Sequence, residues 1–166
     1  VLIYTGSTAE LSSISVTGTG DNALGIDVVD GSVVQLGGVS EVTGVINAIR
    51  VKNDSLIRNK GTMYAGAKGN ALTLDSSKWV DDEQGRVNLW GTSNGANSLK
   101  MESGAQASLN ALFMGAYIRM KSASVAKINY VGSDLFVAGV QLLSSGLTII
   151  TGVGGNSNYD ISRFAC

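Results

Sequence analysis

The stretch Asn47-Ala48-Ile49-Arg50-Val51 is one copy of a short sequence phrase that occurs six times along the chain. Each copy begins with asparagine or another small residue and ends with two apolar residues on either side of a variable one. The copies occupy residues 22–26, 47–51, 70–74, 97–101, 116–120 and 138–142, so their starting positions are 19 to 27 residues apart. Repeats of this length are typical of chains that wind into stacked coils rather than fold around a single centre.

Apolar and polar residues alternate within each copy, which is the pattern of a β-strand with one buried side. A polar corner and a second apolar run follow most copies, as residues 53–55 precede Leu56 and Ile57. A third short run often comes next. The sequence therefore predicts an all-β fold, a right-handed parallel β-helix (solenoid) of about six coils of roughly 19–27 residues. We expect residues 1–150 to form these coils and residues 151–166 to form a C-terminal loop or cap.

Alignment of the copies predicts two apolar columns inside the solenoid, with one residue from each coil. These columns are Leu24/Ile49/Leu72/Leu99/Ile118/Val140 and Ile26/Val51/Leu74/Met101/Met120/Leu142. The preceding asparagines, Asn22, Asn47, Asn70 and Asn97, are predicted to form a ladder of side-chain amide hydrogen bonds at one corner. Because these columns recur from coil to coil, the repeat indicates architecture and carries no binding function of its own.

The composition argues against several kinds of site. The chain has no histidine, no proline, a single cysteine at its last position, Cys166, and a formal net charge of −1. The lack of histidine removes most metal sites and imidazole catalysis, so we expect no metal and no cofactor. The near-neutral charge gives no support for a nucleic-acid partner, and no apolar stretch approaches the length of a membrane span. One cysteine cannot form an internal disulfide, so the fold is expected to depend on stacking.

The longest spacing, from residue 70 to residue 97, indicates an insertion, which we place at residues 78–86. Insertions in a solenoid form loops on one face, often the binding face. The predicted glycan-binding candidates in and beside this segment are Trp79, Asp81, Asp82, Glu83, Arg86 and Trp90. An aromatic ring stacks on the apolar side of a pyranose, while carboxylates accept hydrogen bonds from the sugar hydroxyls. A solvated loop without a ligand is the alternative interpretation.

Charged residues on the outward side of the coils are predicted to form two further columns. One contains Asp27, Lys52, Asp75, Glu102 and Lys121. The other contains Gly25, Arg50, Thr73, Lys100 and Arg119. The first column predicts surface ion pairs, each of little energetic weight. The second either contacts an acidic glycan or is simply solvated.

The run GIDVVDGSVVQL at residues 25–36, like the other coils, resembles two families of extracellular right-handed β-helix. One family is the trimeric tailspike and tail-fibre proteins of bacteriophages. The other is the passenger domain of pertactin-like autotransporter adhesins. Resemblance to the phage proteins implies a homotrimer on the virion tail, outside the cell, that binds or cleaves bacterial surface polysaccharide. Resemblance to the passenger domains implies a monomeric adhesin on the bacterial cell surface.

Three functions follow from these observations. The leading hypothesis is the C-terminal β-helical module of a phage tailspike or tail fibre, which trimerises and contacts a bacterial cell-surface glycan. The alternatives are an autotransporter adhesin fragment and a polysaccharide hydrolase or lyase. A glycosidase needs two carboxylates about 5–9 Å apart. The sequence assigns no such catalytic pair, so binding ranks above catalysis.

Overall fold

The structure is a computed structural model that describes residues 1–20, 22–132, 134–151 and 156–159. Within these ranges the chain forms sixteen β-strands and no helix, and the strands pair in parallel. They wind into a parallel β-solenoid of about six turns, which confirms the predicted fold class. No described segment forms a helix with the length and apolar character needed to cross a membrane.

The strands are short, apart from a few that continue around a corner of the solenoid. Their bounds are β1 Leu2–Ile3, β2 Thr8–Ser12, β3 Ser15–Thr17, β4 Leu24–Val29, β5 Val33–Gly37, β6 Val39–Lys52, β7 Leu56–Asn59, β8 Thr62–Asp75, β9 Lys78–Asp81, β10 Arg86–Gly91, β11 Asn97–Glu102, β12 Gln106–Met120, β13 Val125–Tyr130, β14 Asp134–Leu142, β15 Leu147–Thr151 and β16 Asn156–Tyr159.

Each turn of the solenoid has three sides, which we call faces 1, 2 and 3. Face 1 consists of β1, β4, β11 and the C-terminal parts of β6, β8, β12 and β14. Face 2 consists of β2, β5, β7, β9, β13, β15 and the N-terminal part of β12. Face 3 consists of β3, β10, β16 and the remaining parts of β6, β8, β12 and β14.

Face 1 supplies two columns of apolar side chains to the interior, as the repeat predicts. The observed columns are Ile26/Ile49/Leu72/Leu99/Ile118/Val140 and Val28/Val51/Leu74/Met101/Met120/Leu142. The predicted register was wrong by two residues at the start, because Leu24 pairs with Asn47 and is 37% exposed. The cause is steric. Gly25 takes the place that Ala48 takes in the next coil, and a Cβ on Gly25 would lie 2.2 Å from a methyl carbon of Val42.

The corner between faces 1 and 2 contains a stack of serines, of which Ser32, Ser55 and Ser77 are buried. The turn before each strand uses residues with positive φ, as at Asp30 (φ 60°) and Gly31 (φ 74°). The serine hydroxyl that follows accepts a hydrogen bond from the backbone N–H of the serine one coil earlier. The stack is Ser7, Ser32, Ser55 and Ser77, with N···O distances of 3.1–3.2 Å. The sequence predicts the polar corners but not this stack, which satisfies backbone donors that would otherwise be buried without a partner.

The predicted C-terminal cap lies partly outside the described residues. Strand β16 pairs with β14 and extends face 3 by one strand. Residues 152–155 and 160–166, which include Cys166, are outside the described part of the chain. The cap over 151–166 therefore stays a prediction.

Candidate functional site

The repeat is interrupted at two places, of which the first lies within the predicted segment 78–86 and the second lies after it. Residues 78–86 form β9, a tight turn and the start of β10, and β9 pairs with β7 and β12 in the regular pattern of face 2. Relative to the preceding coil, the turn at 82–85 holds two additional residues, because Asn59 pairs with Asp81 and Thr62 with Arg86. The segment 92–96, between β10 and β11, holds three more, and residues 92–95 are exposed. We call residues 92–96 the corner loop, because they lie at the corner between faces 3 and 1. In the coil before, β8 passes this corner as one strand.

Trp79 faces the interior of the solenoid rather than solvent. It takes the inward position that Ile57 takes in the preceding coil and Ala107 in the following one. Its side chain has no exposed surface. A ring enclosed on all sides cannot stack on a sugar, so Trp79 is a core residue in this structure and not a surface contact.

Asp81 is buried two residues further along β9, within a cluster of hydrogen-bond donors. Its Oδ1 accepts hydrogen bonds from Nε1 of Trp79 (2.8 Å) and Nδ2 of Asn59 (2.9 Å). Its Oδ2 accepts one from the backbone N–H of Asn110 (2.8 Å). Burial raises the pKa of Asp81 to about 6, although these hydrogen bonds and the charge of Arg86 act to lower it. Both carboxylate oxygens accept hydrogen bonds. These bonds connect Asp81 to the coil before its own and to the coil after it, so Asp81 has a structural role.

The other charged candidates form the tight turn between faces 2 and 3. Oδ1 of Asp82 accepts hydrogen bonds from the backbone N–H groups of Gln84 and Gly85, each at 3.0 Å. Nη1 of Arg86 donates to the carbonyl oxygens of Glu83 (3.1 Å) and Gly85 (2.8 Å). The carboxylate of Glu83 belongs to an exposed residue. The structure therefore brings Asp82, Glu83 and Arg86 together, but Asp82 and Arg86 mainly hold the turn.

Trp90 projects outward from face 3 and is partly exposed. Its indole lies against Gly66 on the neighbouring strand β8, because a Cβ added to Gly66 would lie 2.3, 2.4 and 2.5 Å from three indole atoms. Tyr64, two residues earlier on β8, is 38% exposed. Trp90 and Tyr64 thus place two accessible aromatic side chains on the outer side of face 3, and Trp90 is the predicted aromatic candidate that a ligand can reach.

A shallow cleft of about 420 Å³ lies beside the corner loop, and we call it the corner cleft. Gly91 and residues 93–96 line one side, while Ala116 and Tyr117 of β12 line the other. Ala116 has a φ of 84°, a conformation that residues other than glycine rarely adopt. Strained backbone of this kind is concentrated at functional sites. The corner cleft therefore combines a break in the repeat, a strained residue and an aromatic ring.

Arg119 fixes the position of both walls of the corner cleft. Its guanidinium carbon lies 4.4 Å from the centre of the Tyr117 ring, a cation–π contact. Its Nη1 also donates to the carbonyl oxygen of Gly95 (2.8 Å) and to Oδ1 of Asn97 (2.5 Å). One side chain thus connects the ring, the corner loop and β11, so the cleft is organised before any ligand arrives.

The asparagine ladder is present over three coils. Nδ2 of Asn70 donates to Oδ1 of Asn47 (2.7 Å), and Nδ2 of Asn97 donates to Oδ1 of Asn70 (2.8 Å). Asn22 does not belong to the ladder, because Leu24 takes the equivalent position in its coil. Tyr117 takes that position in the coil after Asn97. The corner cleft therefore lies where the asparagine ladder ends.

The outward columns of face 1 differ from the predicted ones by the same shift. The first column is Asp27/Arg50/Thr73/Lys100/Arg119, so that Asp27 replaces Gly25. Asp27 and Arg50 form a bidentate ion pair, with Nε–Oδ1 at 2.9 Å and Nη2–Oδ2 at 2.7 Å. In the second column Nζ of Lys121 lies 3.1 Å from a carboxylate oxygen of Glu102. Of the surface pairs predicted within the column Asp27/Lys52/Asp75/Glu102/Lys121, the pair of Glu102 and Lys121 is present. The prediction was wrong for Asp27, which is buried and pairs with Arg50 of the other predicted column.

Sequence reasoning missed the corner loop and Tyr117. The 27-residue spacing correctly showed that one coil is longer, and the predicted segment 78–86 contains two of the added residues but not the three at 92–96. The sequence Gly91-Thr92-Ser93-Asn94-Gly95 carried the missing signal, since glycine, serine and asparagine favour an exposed turn. Tyr117 was hidden because the phrase was aligned on Ala116 rather than one residue later.

Comparisons with known proteins do not add a family to this description. No family model matches the chain, and neither a curated protein nor a solved structure matches it. Among the described residues, no group of three or more histidine, cysteine, aspartate or glutamate residues is placed to hold a metal ion.

Proposed function

We propose that this chain is a glycan-binding β-solenoid module of a bacteriophage tailspike or tail fibre, which acts outside the cell as a homotrimer and contacts bacterial surface polysaccharide. The observation that carries the proposal is the corner cleft. There, Tyr117 and the polar corner loop lie beside each other at the break in the repeat. Solenoids place their binding loops at such breaks.

The chemistry of the corner cleft suits a sugar ring. The ring of Tyr117 offers an apolar surface for the C–H side of a pyranose, and Ser93 and Asn94 offer hydrogen bonds to its hydroxyls. Arg119 already holds the aromatic ring and Gly95 in place. A preorganised site loses less entropy on binding, which favours affinity for a ligand with many weak contacts.

The outer side of face 3 extends the surface that a glycan chain could follow. Trp90 immediately precedes Gly91, which lines the corner cleft, and its indole is fixed against Gly66. Tyr64 is exposed on the adjacent strand. A polysaccharide of several residues would contact both the cleft and these two rings, whereas a monosaccharide would occupy the cleft alone.

The environment of Asp81 supports binding over hydrolysis. The predicted acidic cluster was the best place for a catalytic pair of carboxylates. Asp81 is enclosed by Trp79, Asn59 and Asn110, and Asp82 accepts hydrogen bonds within its own turn. Asp81 is not free to protonate a glycosidic oxygen without disrupting the coil, and Oδ1 of the exposed Asp82 is engaged in holding its turn.

Exposed apolar residues on face 2 support the self-association part of the proposal. Leu147 and Ile149 of β15 are 47% and 42% exposed, and Val125 on the adjacent strand is partly exposed. Val125 points outward because it alternates along β13 with the inward residues Ala126 and Ile128. Leu147 and Ile149 point outward in the same way along β15, where Leu147 pairs with Val125. A contiguous apolar patch on a solvent-facing sheet is typical of an interface.

Binding of the purified chain to immobilised bacterial surface polysaccharides tests the proposed site. Tyr117→Ala and Trp90→Ala should each weaken retention about tenfold or more, as removal of a stacking aromatic does at a binding hot spot. Tyr4→Ala is the matched control, because Tyr4 is an exposed aromatic in the first coil. If Tyr117→Ala, Trp90→Ala and Tyr4→Ala were all retained equally, the proposed site would be contradicted. Circular dichroism of each variant verifies that the solenoid is intact.

Light scattering tests the association state independently of the glycan. The expected mass is three times the 17.1 kDa of one chain. Leu147→Glu should shift the population toward the monomer, because it places a charge in the apolar patch on face 2. A monomeric mass for the unmodified chain would contradict the homotrimer.

A further inference from the structure

We infer that face 1 carries a second binding surface, a cationic row that takes the carboxylate groups of a linear acidic polysaccharide. The row is Arg50, Thr73, Lys100 and Arg119, at the same outward position on four successive strands. Parallel strands are about 4.8 Å apart, so the row runs for about 14 Å along the solenoid axis. The row meets the corner cleft at Arg119, whose guanidinium contacts Tyr117, Gly95 and Asn97. Lys100 and Thr73 do not line that cleft, so the inference is tested at these two residues.

The row has more positive than negative charge. Asp27 is the acidic member of its column, and both of its oxygens are engaged by Arg50. Lys100 and Arg119 lie on adjacent strands, and neither forms an ion pair with a described residue. Lys100 is thus a cation that no described carboxylate pairs, with Arg119 on the adjacent strand, and an anion near both gains favourable electrostatic energy.

The acids in the next column do not neutralise Lys100 and Arg119. Glu102 forms its ion pair with Lys121 at 3.1 Å. Asp75 accepts a hydrogen bond from the Ser76 hydroxyl at 3.5 Å. Both carboxylates line the same concave part of face 1 as Thr73, where three cations, Arg50, Lys52 and Lys100, outnumber them.

Thr73 supplies an independent indication of a ligand. It lies between Arg50 and Lys100 on the outward side, lines a concave part of face 1 with Asn47 and Asn70, and is 9% exposed. Its Oγ1 makes no hydrogen bond with any described residue. Buried hydroxyls are normally satisfied, so this one calls for a partner. An oxygen of a ligand bound in this concave part of face 1 would provide it.

An acidic polysaccharide fits this row better than a nucleic acid. Nucleic acids carry a phosphate on every unit and are bound by surfaces with a dense excess of lysine and arginine. Face 1 interleaves its cations with Asp75, Glu102, Thr73 and the asparagine ladder, and the whole chain has a net charge of −1. A polysaccharide with spaced carboxylates and intervening hydroxyls matches that mixture of cations, hydroxyls and amides.

Calorimetric titration of the full chain tests the inference, with oligogalacturonate as the acidic probe and maltohexaose as the neutral one. Oligogalacturonate should bind, and affinity should fall as salt is raised. Lys100→Gln should weaken this binding about tenfold, the loss expected for one charge-assisted hydrogen bond. Lys127→Gln is the control, because Lys127 is an exposed lysine on the outer side of face 2.

Thr73→Val separates a binding role from a structural one. Valine has the same shape and removes a buried hydroxyl without a partner, so the melting temperature should stay the same or rise. Affinity for oligogalacturonate should nevertheless fall several-fold. A purely structural threonine would leave the affinity unchanged, and that result would contradict its place in the site.

Other results would overturn the inference. They are a failure of oligogalacturonate to bind, equal affinities for the Lys100→Gln and Lys127→Gln variants, or equally tight binding of maltohexaose. Equally tight binding of inorganic phosphate would show a site for single anions rather than for a polysaccharide. Equally tight binding of a single-stranded oligodeoxynucleotide would show a general polyanion site. The variants used for this test are at Lys100 and Thr73, which do not line the corner cleft, so their results are distinguishable from those of Tyr117→Ala and Trp90→Ala.

Discussion

The indole Nε1 of Trp79 donates a 2.8 Å hydrogen bond to Oδ1 of Asp81 inside the solenoid. An aromatic residue beside acidic residues is the strongest sequence signal for a sugar site. In the structure, these two residues belong to the core instead. The pair also places a titratable group at a position that is apolar in the second and sixth coils and an amide in the third. The equivalent positions in the second, third and sixth coils belong to Leu36, Asn59 and Ile128.

Stability should therefore depend on the protonation of Asp81. Its pKa is about 6 in the folded protein against an ordinary value of 3.8, so the folded state retains a proton that the unfolded state releases. The free energy of unfolding should fall as pH rises from about 4 to about 6, by about 3 kcal/mol from this group. Asp81→Asn cannot titrate and should lose that slope.

Urea denaturation of both proteins between pH 4 and pH 7 measures this effect. The stability of the Asp81→Asn variant relative to the unmodified chain should rise across the window. The amide cannot accept a hydrogen bond from Asn110 through its Nδ2, so the variant starts less stable at pH 4. Parallel stability curves would contradict a raised pKa for Asp81.

The two tryptophans should respond differently to a soluble quencher. Trp79 is fully buried, whereas Trp90 is partly exposed. The Trp90→Phe variant should emit at short wavelength and resist acrylamide, and the Trp79→Phe variant should be quenched readily. Trp79→Phe should also reduce the free energy of unfolding by about 1–3 kcal/mol, because it leaves Asp81 without one of its donors. Similar quenching of both variants would place Trp79 at the surface.

The asparagine ladder should be most sensitive at its centre. Asn70 donates to Asn47 and accepts from Asn97, whereas Asn47 has only its bond with Asn70 within the ladder. Asn70→Ala removes two hydrogen bonds and should cost about 2 kcal/mol of unfolding free energy, against about 1 kcal/mol for Asn47→Ala. Chemical denaturation of the two variants provides the measurement. Equal losses would show that the amides act independently.

The sequence predicted the fold because its evidence is repeated in every coil. Alternation, polar corners and a spacing of 19 to 27 residues all indicate stacking strands, and an error in one coil does not hide the others. Register was less certain at Leu24, because a shift of two residues keeps every side chain on the same side of a strand. Only the space around Gly25 decides between the two registers, and that space depends on the neighbouring coil.

The candidate site was harder to predict, because its evidence is not repeated. Trp79 beside three acidic residues has the composition of an exposed sugar site and of a buried polar cluster alike. Its inward direction follows from alignment with Ile57 and Ala107, which requires the correct register of face 2. The stretch at 91–95 has the residues of a turn, but its position beside Tyr117 depends on how two coils stack.

The strain at Ala116 gives a test of the corner cleft. With a φ of 84°, alanine there costs more than glycine, which adopts this conformation freely. Ala116→Gly should raise the free energy of unfolding by about 0.5–1 kcal/mol while it loosens the wall of the cleft. Thermal denaturation measures the first effect and polysaccharide retention the second. A loss of stability would contradict the strained conformation.

The contact between Trp90 and Gly66 gives the last test, since it decides whether the outer indole has a fixed orientation. A methyl group on Gly66 would lie 2.3 Å from Cε2 of Trp90, so Gly66→Ala should push the indole away from β8. In the Trp79→Phe background, the emission of Trp90 should shift to longer wavelength and its quenching should increase. Gly37→Ala is the matched control, because its Cβ would meet its nearest neighbour, the hydroxyl of Ser12, at 3.9 Å. If polysaccharide retention also falls with Gly66→Ala but not with Gly37→Ala, the orientation of the indole matters for binding as well as its presence. Unchanged emission in Gly66→Ala would show that Trp90 does not pack on this glycine.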